Sequence, residues 1–207
     1  MSSLTLLNSI KRLRSIAHLG LTYSRDEYDT ERYLEIEKIS LEMMQMVTEE
    51  PVEALSVYFN SNKEYITPKV DIRAVIFNDK KEILLVKEKG DGKWSLPGGW
   101  ADIGQSPKET AIREVLEETG FIVKPIKLLA VLDKRCHQHP PQLDYVYKMF
   151  IECQVTNGEY IPAFDIIEVR FFSQNNIPEL SEDRVLLSQI NLLFEYLENP
   201  EKQTTID

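Results

Sequence analysis

The sequence has little of what marks disulfide-rich, membrane-spanning or nucleic-acid-coating proteins. Its two cysteines, Cys136 and Cys153, match no metal-ligand spacing and no disulfide framework, which favours a reducing compartment. No run approaches the roughly 18 apolar residues expected of a membrane span. The net charge of −10 disfavours charge-driven binding to a nucleic-acid backbone. We therefore expect a cytoplasmic protein that binds no membrane and for which nucleic acid is an unfavoured partner.

What the chain does have is enough apolar sequence for a real core. Of its 207 residues, 43% are hydrophobic, which predicts one ordinary domain with a smaller appendage. Residues 1–62 show helical periodicity over 4–24 and 26–48, and Pro51 opens a short third helix. We expect this all-helical part to be too small to bury much surface alone. His18 is interpreted as a helix-surface residue, and the polar stretch 60–63 as a linker.

The pattern changes to strands in residues 67–207. Alternating apolar residues over 67–76 and a second strand at 83–87 predict a hairpin around the turn at 78–81. Further strands are predicted near 122–132, 143–155 and 166–172. A last helix is predicted over 181–198, with Ser181 as its N-cap. Strands with one intervening and one terminal helix predict an α/β sandwich around a mixed sheet.

One helix between these strands carries an unusual cluster of acids. Ser106, Pro107 and Glu109 form a helix start with a capping box, and Gly120 suits a left-handed C-cap. At about 100° per residue, three acids share one face of this helix. They are Glu114, Glu117 and Glu118.

Three carboxylates so close repel one another unless a positive charge lies among them. Mg²⁺ prefers carboxylates together with water and substrate phosphates, so the array predicts a Mg²⁺ or Mn²⁺ site that presents the ion to a phosphate. Arg113 lies about one turn before Glu117 and is expected to orient that carboxylate. A solvated acidic helix face would explain the same spacing, and helix geometry alone does not decide between the two.

The segment from Gly99 to Phe121, which contains this helix, closely resembles the Nudix box. The motif of that family is G-x5-E-x7-R-E-U-x-E-E-x-G-U, in which U is an aliphatic or bulky apolar residue. One position departs, because Gln105 stands where the family usually has glutamate. The rest of the domain also resembles the family, from its Leu-Pro-Gly-Gly entry to its terminal helix. The matching positions are Gly99, Arg113, Glu114, Val115, Glu117, Glu118, Gly120 and Phe121.

The resemblance implies a Nudix-type α/β/α sandwich with a mixed sheet, preceded by a small helical domain that helps form a homodimer. It implies a Nudix pyrophosphohydrolase in which Glu114, Glu117 and Glu118 bind Mg²⁺ or Mn²⁺ and Arg113 orients them. Gln105 keeps hydrogen-bonding capacity but has no charge, so Asp102 becomes a candidate to supply the missing carboxylate.

The helical extension followed by Gly-Gly-Trp-Ala-Asp resembles the bacterial subfamily that contains CDP-choline pyrophosphatase and proteins described as ADP-ribose pyrophosphatases. This implies a nucleoside diphosphate linked to a group X as substrate, with CDP-choline giving CMP and phosphocholine. ADP-ribose hydrolysis, nucleotide sensing without hydrolysis and hydrolysis of RNA ends are the alternatives.

Further candidates lie outside the three acids. Arg73, Lys87 and Arg135 are positioned for substrate phosphate, although surface ion pairs would explain the first two equally well. Trp100 is a candidate for stacking on a base, whereas Trp94 fits the core. The remaining substrate-binding candidates are Gly98, Gly99, Asp102 and His139, and the candidates for an extra carboxylate are Asp165 and Glu168.

Overall fold

A computed structural model of the chain describes residues 3–48, 51, 67–102, 104–161 and 163–207. The described helices are α1 Ser3–Tyr23, α2 Glu27–Thr48, α3 Pro107–Thr119 and α4 Leu187–Glu198. The first four strands are β1 Lys69–Val75, β2 Ile83–Glu88, β3 Trp94–Ser95 and β4 Gly98–Trp100. The last four are β5 Phe121–Asp133, β6 Val146–Gly158, β7 Ile166–Phe172 and β8 Thr205–Ile206. Contacts divide the chain into residues up to Thr67 with Pro141–Leu143, and a second unit made of the rest.

The first unit is built on the helix pair α1 and α2. The Asp26 carboxylate accepts from the backbone N–H of Asp29 at 2.9 Å and so caps the start of α2. Leu7, Ile10 and Met44 form its buried centre. The predicted third helix and linker lie outside the described residues. No helix among the described residues is long and apolar enough to cross a membrane.

One sequence interpretation in this unit is wrong. His18 is buried, with 5% of its surface exposed, although we expected it on the helix surface. In α2 the buried residues are Ser40 and Met44, and Met43 and Val47 pack partly buried against the apolar centre, whereas Ile39 is 43% exposed.

The second unit contains two sheets. The larger has the order β4-β1-β6-β5-β8 and is mixed, because β1 pairs parallel with β6 and antiparallel with β4. The smaller has the order β3-β2-β7 and is antiparallel. The predicted hairpin of β1 and β2 is therefore wrong, since the two strands belong to different sheets. Only the bridge between Phe77 and Ile83 remains of it, at the point where the chain passes from one sheet to the other.

Two apolar clusters join the layers of this unit into an α/β/α sandwich. In one cluster, Ala111 and Val115 of α3 pack against one face of the larger sheet. In the other, Ile190 and Phe194 of α4 pack with residues of both sheets, including Trp94. Trp94 is 7% exposed, which confirms its expected place in the core. Helix α3 is thus fixed along its apolar side, which leaves its acidic side for the strand edge at β4.

The terminal helix begins later than predicted. Ser181 is not its cap, because residues 181–185 form a turn in which Ser181 O accepts from the N–H groups of Arg184 and Val185. The Ser181 hydroxyl is buried and donates to Asp91 at 2.7 Å. Residue Leu187 then starts the helix, after a break at residues 185–186.

Candidate active site

Helix α3 has the ends that its sequence predicts. The Ser106 side chain accepts from the Glu109 N–H, and the Glu109 carboxylate accepts from the Ser106 N–H at 2.8 Å, which completes the capping box. Gly120 closes the helix in a left-handed conformation with φ of 78°. Both ends of the helix that carries Glu114 and Glu118 are therefore held by local hydrogen bonds.

Glu118 is the buried acid of this helix. Its side chain is 7% exposed, and Oε2 accepts from the backbone N–H of Gly98 at 3.0 Å. Burial raises the pKa of Glu118 to about 8, and the charge of Arg73 and the Gly98 hydrogen bond oppose this rise. The negative charges of Glu88 and Glu114 raise the pKa further. The positive charge near Glu118 is therefore too small to stabilise its ionised form at neutral pH.

Two glycines allow strand β4 to lie close to its neighbours, Gly98 against β1 and Gly99 against α3. Gly98 has φ of 144°, and a Cβ there would lie 2.0 Å from the carbonyl oxygen of Ile72. A Cβ on Gly99 would lie 2.6 Å from Oε1 of Glu114. The missing side chain at 99 therefore leaves the space that the Glu114 carboxylate occupies.

Arg113 binds the acidic groups around it. Its Nη2 donates to Oε1 of Glu114 at 2.8 Å, and its Nη1 donates to Oε2 of Glu117 at 2.9 Å. Nη2 also contacts Asp102 at 3.2 Å, and Nε donates to the amide oxygen of Gln105 at 3.0 Å. Burial raises the pKa of Glu114, against the effect of Arg113. Arg113 thus orients two of the three acids.

The donor set suits a hard divalent cation. Glu114 and Glu118 have raised pKa values, which a nearby cation would lower, and Gly99 leaves room for the Glu114 carboxylate beside β4. Across the described ranges 3–48, 67–102, 104–161 and 163–207, however, no three acidic, histidine or cysteine side chains are grouped closely enough to hold a metal ion. The carboxylates would have to regroup around an ion, since Arg113 holds Glu114 and Glu117. The three-carboxylate metal site stays a prediction.

A buried charge network lies next to Gly98. Arg73 is opposite Gly98 in the register of β1 and β4, and its Nε donates to Asp71 at 2.9 Å. Its Nη1 donates to the carbonyl of Leu96 at 3.0 Å. Lys148 of β6 also pairs with Asp71. Although burial opposes it, the charges of Arg73 and Lys148 hold the pKa of the Asp71 carboxyl below its usual value.

Glu88, at the end of β2, is a second buried acid near this network. Its Oε1 accepts from the Ser95 hydroxyl at 2.7 Å and pairs with Arg184 Nε at 3.2 Å. It acts electrostatically on both Glu118 and Arg73. The candidate site thus borders a set of charged side chains that come from both sheets.

The other predicted substrate residues lie at several places. Trp100, at the end of β4, is 50% exposed, and Lys69 Nζ is 5.6 Å from its ring centroid. Lys87 is half-buried on β2, in register with Trp94. Arg135 is exposed and pairs with Asp133 at 3.3 Å.

His139 is buried, and both of its ring nitrogens are engaged within the protein. Nδ1 is 2.5 Å from the carbonyl of Glu182, and Nε2 is 3.0 Å from the side-chain nitrogen of Gln189. These partners require a proton on Nδ1 and a lone pair on Nε2. Burial lowers the pKa of His139 to about 4, which keeps the ring neutral. His139 therefore ties the loop after β5 to α4.

The two candidates for an extra carboxylate lie around β7. Asp165 is exposed just before the strand, where its carbonyl accepts from the Lys89 N–H at 2.8 Å. Glu168 pairs with Arg170 of the same strand. Sequence reasoning missed Asp71 and Lys148, which form the buried network with Arg73, and Glu88, whose charge acts on Glu118. One sequence signal could have indicated the Asp71–Arg73 pair. The two residues are two positions apart on a predicted strand, and alternate strand residues face the same side of a sheet.

Comparisons with known proteins match almost the whole chain. Residues 5–59 match the family model Nudix_N, described as a UDP-X-like, N-terminal oligomerisation domain. Residues 67–189 match the NUDIX domain. YjhB of Bacillus subtilis (strain 168), provisionally named an ADP-ribose pyrophosphatase, is 43% identical over 97% of this chain and 96% of its own.

Solved structures agree with these matches. The crystal structure of a UDP-X diphosphatase is 31% identical, has a TM-score of 0.65 and covers 100% of both chains. An ADP-ribose pyrophosphatase from Streptococcus suis 89-1591 is 40% identical with a TM-score of 0.61, over 68% of this chain and 100% of that chain.

Proposed function

Because this chain belongs to the Nudix family and is a pyrophosphohydrolase, we propose that it hydrolyses nucleoside diphosphates linked to a second group X. Water would open the diphosphate and give a nucleoside monophosphate and phospho-X. The observation that carries this proposal is the buried Glu118, held by the Gly98 N–H on the same helix as Glu114 and Glu117.

Nudix hydrolases generally use divalent metal ions, and we propose that Glu114, Glu117 and Glu118 hold Mg²⁺ or Mn²⁺ here. Such an ion, when bound, neutralises diphosphate charge and lowers the pKa of a coordinated water. The Gly98 N–H fixes Oε2 of Glu118, so the other oxygen of that carboxylate is left for the ion. Glu118 must lose its proton before it can act as a ligand.

The remaining residues of the site position these acids and the diphosphate. Arg113 keeps Glu114 and Glu117 pointing to one side of α3 through its two donor nitrogens. Arg135 is our candidate for direct contact with substrate phosphate, because its guanidinium is exposed and its Asp133 partner is only two residues away, at the end of β5. Lys87 is a second candidate. Arg73 is buried and donates to Asp71 and to the Leu96 carbonyl, which favours a supporting role for it.

CDP-choline is the substrate that we propose first. A quaternary ammonium group binds well to the face of an aromatic ring, with tryptophan the best of these. Trp100 offers a half-exposed indole directly after Gly98 and Gly99, which contact the acids of α3. ADP-ribose is the second candidate, because the Bacillus and Streptococcus relatives carry that name. Trp100 would then stack on the adenine base.

A substrate screen tests the proposal. The purified protein is incubated with Mg²⁺ or Mn²⁺ and CDP-choline, ADP-ribose, UDP-linked sugars or dinucleoside polyphosphates, and phosphatase-sensitive phosphate is measured. Preferential release of CMP and phosphocholine is the expected result. A preference for ADP-ribose would change the proposed substrate but leave the proposed reaction unchanged. If no diphosphate were hydrolysed, the proposed function would be contradicted.

We further propose that the helical unit, residues 1–62, forms a homodimer through the outer face of α2, and that the enzyme acts in the cytoplasm. Tyr28 and Met46 on this face are 73% and 82% exposed. Tyr28 and Met46 each lie nine residues from Glu37, near the middle of α2, and Arg32 and Glu42 each lie five residues from it. If two copies of α2 pair antiparallel about a two-fold axis at its middle, a residue on one side of the axis faces the residue that lies equally far on the other side in the partner subunit. Arg32 would then face Glu42 of the partner subunit and Tyr28 would face Met46 of the partner subunit.

A further inference from the structure

The missing charge at position 105 leaves Arg113 in an unusual environment. The Nudix box usually has glutamate at this position, and here the neutral amide of Gln105 accepts from Arg113 Nε at 3.0 Å. The hydrogen bond is kept, but an amide oxygen offsets less of the guanidinium charge than a carboxylate does.

Three carboxylates contact Arg113 in place of the missing one. Two of them, Glu114 and Glu117, are the acids that we propose for the metal ion. The third is Asp102, whose Oδ2 lies 3.2 Å from Arg113 Nη2. A divalent cation would draw charge from Glu114 and Glu117, so Asp102 is the carboxylate contact to Arg113 that such an ion does not compete for.

The side chain of Asp102 lies in the loop that leads from β4 to α3. Its carbonyl accepts from the Gln105 N–H at 3.1 Å, so Asp102 and Gln105 are joined by a turn and both bind the same guanidinium. The Asp102 side chain is 65% exposed and that of Arg113 is 28% exposed. This contact is therefore open to solvent on the side of Asp102.

We propose that Asp102 is a positioning residue that takes over the charge of the glutamate replaced by Gln105. It acts through Arg113, which it holds in place while Arg113 orients Glu114 and Glu117, and it needs no contact with metal or substrate. This rests on the proposed function, because it assigns Arg113 and the two acids the roles given there.

A double-mutant cycle on Mn²⁺ binding tests this assignment without any substrate. Asp102→Asn is combined with Arg113→Gln, and the Mn²⁺ dissociation constant is measured by electron paramagnetic resonance at constant pH and salt. We expect Asp102→Asn alone to weaken Mn²⁺ binding about two- to fivefold, as for an exposed ion pair. In the Arg113→Gln background the same change should have no effect. An equal effect in both backgrounds would mean that Asp102 acts on the ion directly or through its field, and would overturn the proposal.

Rescue from position 105 is the second test. We expect Asp102→Asn alone to lower kcat and to leave KM unchanged. Gln105→Glu restores the usual residue of the family, so the double variant Asp102→Asn/Gln105→Glu should bind Mn²⁺ and turn over substrate as the parent does. Failure of this rescue, or no effect of Asp102→Asn, would contradict the assignment. Asp79→Asn, at an exposed turn, is the matched control and should behave as the parent. If no diphosphate were hydrolysed, the proposed function would fail, while the Mn²⁺ cycle would still decide the role of Asp102.

Discussion

The backbone N–H of Gly98 donates to Oε2 of Glu118 at 3.0 Å, across 20 residues of sequence. This bond joins the glycine turn of β4 to the acidic face of α3. Gly98 lies opposite Arg73 in the strand register, so the same turn also brings Glu118 next to the buried Asp71–Arg73 pair. The position of the acid is thus set by a strand edge and a helix together.

Replacing Glu118 with glutamine should abolish most of the activity. Glutamine keeps an oxygen for the Gly98 N–H but cannot carry the charge that a divalent ion needs, and we expect kcat to fall on the order of 10²- to 10³-fold. The thermal midpoint should not decrease, because an isosteric amide removes a buried carboxyl of raised pKa. Glu201→Gln, at an exposed residue, is the control. Full activity of Glu118→Gln would show that the metal site is assigned wrongly.

Metal binding should become tighter as the pH rises. Since burial raises the pKa of Glu118 to about 8, the neutral acid persists in the metal-free protein at neutral pH and must release a proton to bind an ion. The Mn²⁺ association constant should therefore rise by up to about tenfold per pH unit and level off above pH 8. Calorimetry in buffers of different ionisation enthalpy measures the released proton. The Glu118→Gln variant should lose this proton release.

Adding one methyl group at Gly99 should disturb the site without unfolding the protein. The Cβ of Gly99→Ala would lie 2.6 Å from Oε1 of Glu114, so the carboxylate has to move. A misplacement of about 1 Å at a reacting centre costs up to about 10²-fold in rate, and we expect a loss of this order in kcat/KM. Gly90→Ala is the matched control, since its Cβ would meet nothing within 4 Å. Equal activity of the two variants would contradict the role of the gap at Gly99.

Sequence alone predicted the local features of this fold and missed the non-local ones. The ends of α3 follow from hydrogen bonds between neighbours such as Ser106 and Glu109, so their residue types are informative. Strand β1 pairs with β6, which lies more than 70 residues further along the chain. The local turn between β1 and β2 therefore wrongly indicated a hairpin. Ser181 failed as a cap for a similar reason, because its hydroxyl binds Asp91 on a distant loop.

The same distinction applies to the candidate site. The spacing of Glu114 and Glu118 on one helix could be read directly, because a helix face repeats within a few residues. The burial of Lys148 beside Asp71 could not, since it arises only when β6 pairs with β1. His18 was missed likewise, as the packing of a helix face is set by its neighbours.

Reversing one charge on α2 should separate the subunits, and reversing its partner should reunite them. If Arg32 of one subunit meets Glu42 of the other, Arg32→Glu places two like charges in each of the two symmetric contacts. The dimer dissociation constant should then increase, and the double variant Arg32→Glu/Glu42→Arg should restore it. Sedimentation velocity over a concentration series measures both. A parent protein that stays monomeric, or a dimer unaffected by Arg32→Glu, would contradict the proposed interface.

Changes at Trp100 should distinguish the two substrate candidates. If the indole binds the choline group, Trp100→Ala should raise KM for CDP-choline roughly 2- to 30-fold, as expected for loss of a cation–π contact. Trp100→Phe keeps an aromatic face and should lose less. Neither variant should change kcat much, because the indole is proposed to bind group X or the base and not the reacting phosphates. A matched comparison with CDP-ethanolamine, which has a primary ammonium group, isolates the choline contact. An equal KM increase for CDP-choline and ADP-ribose would instead indicate that Trp100 contacts the nucleoside, because both substrates carry a base on a ribose.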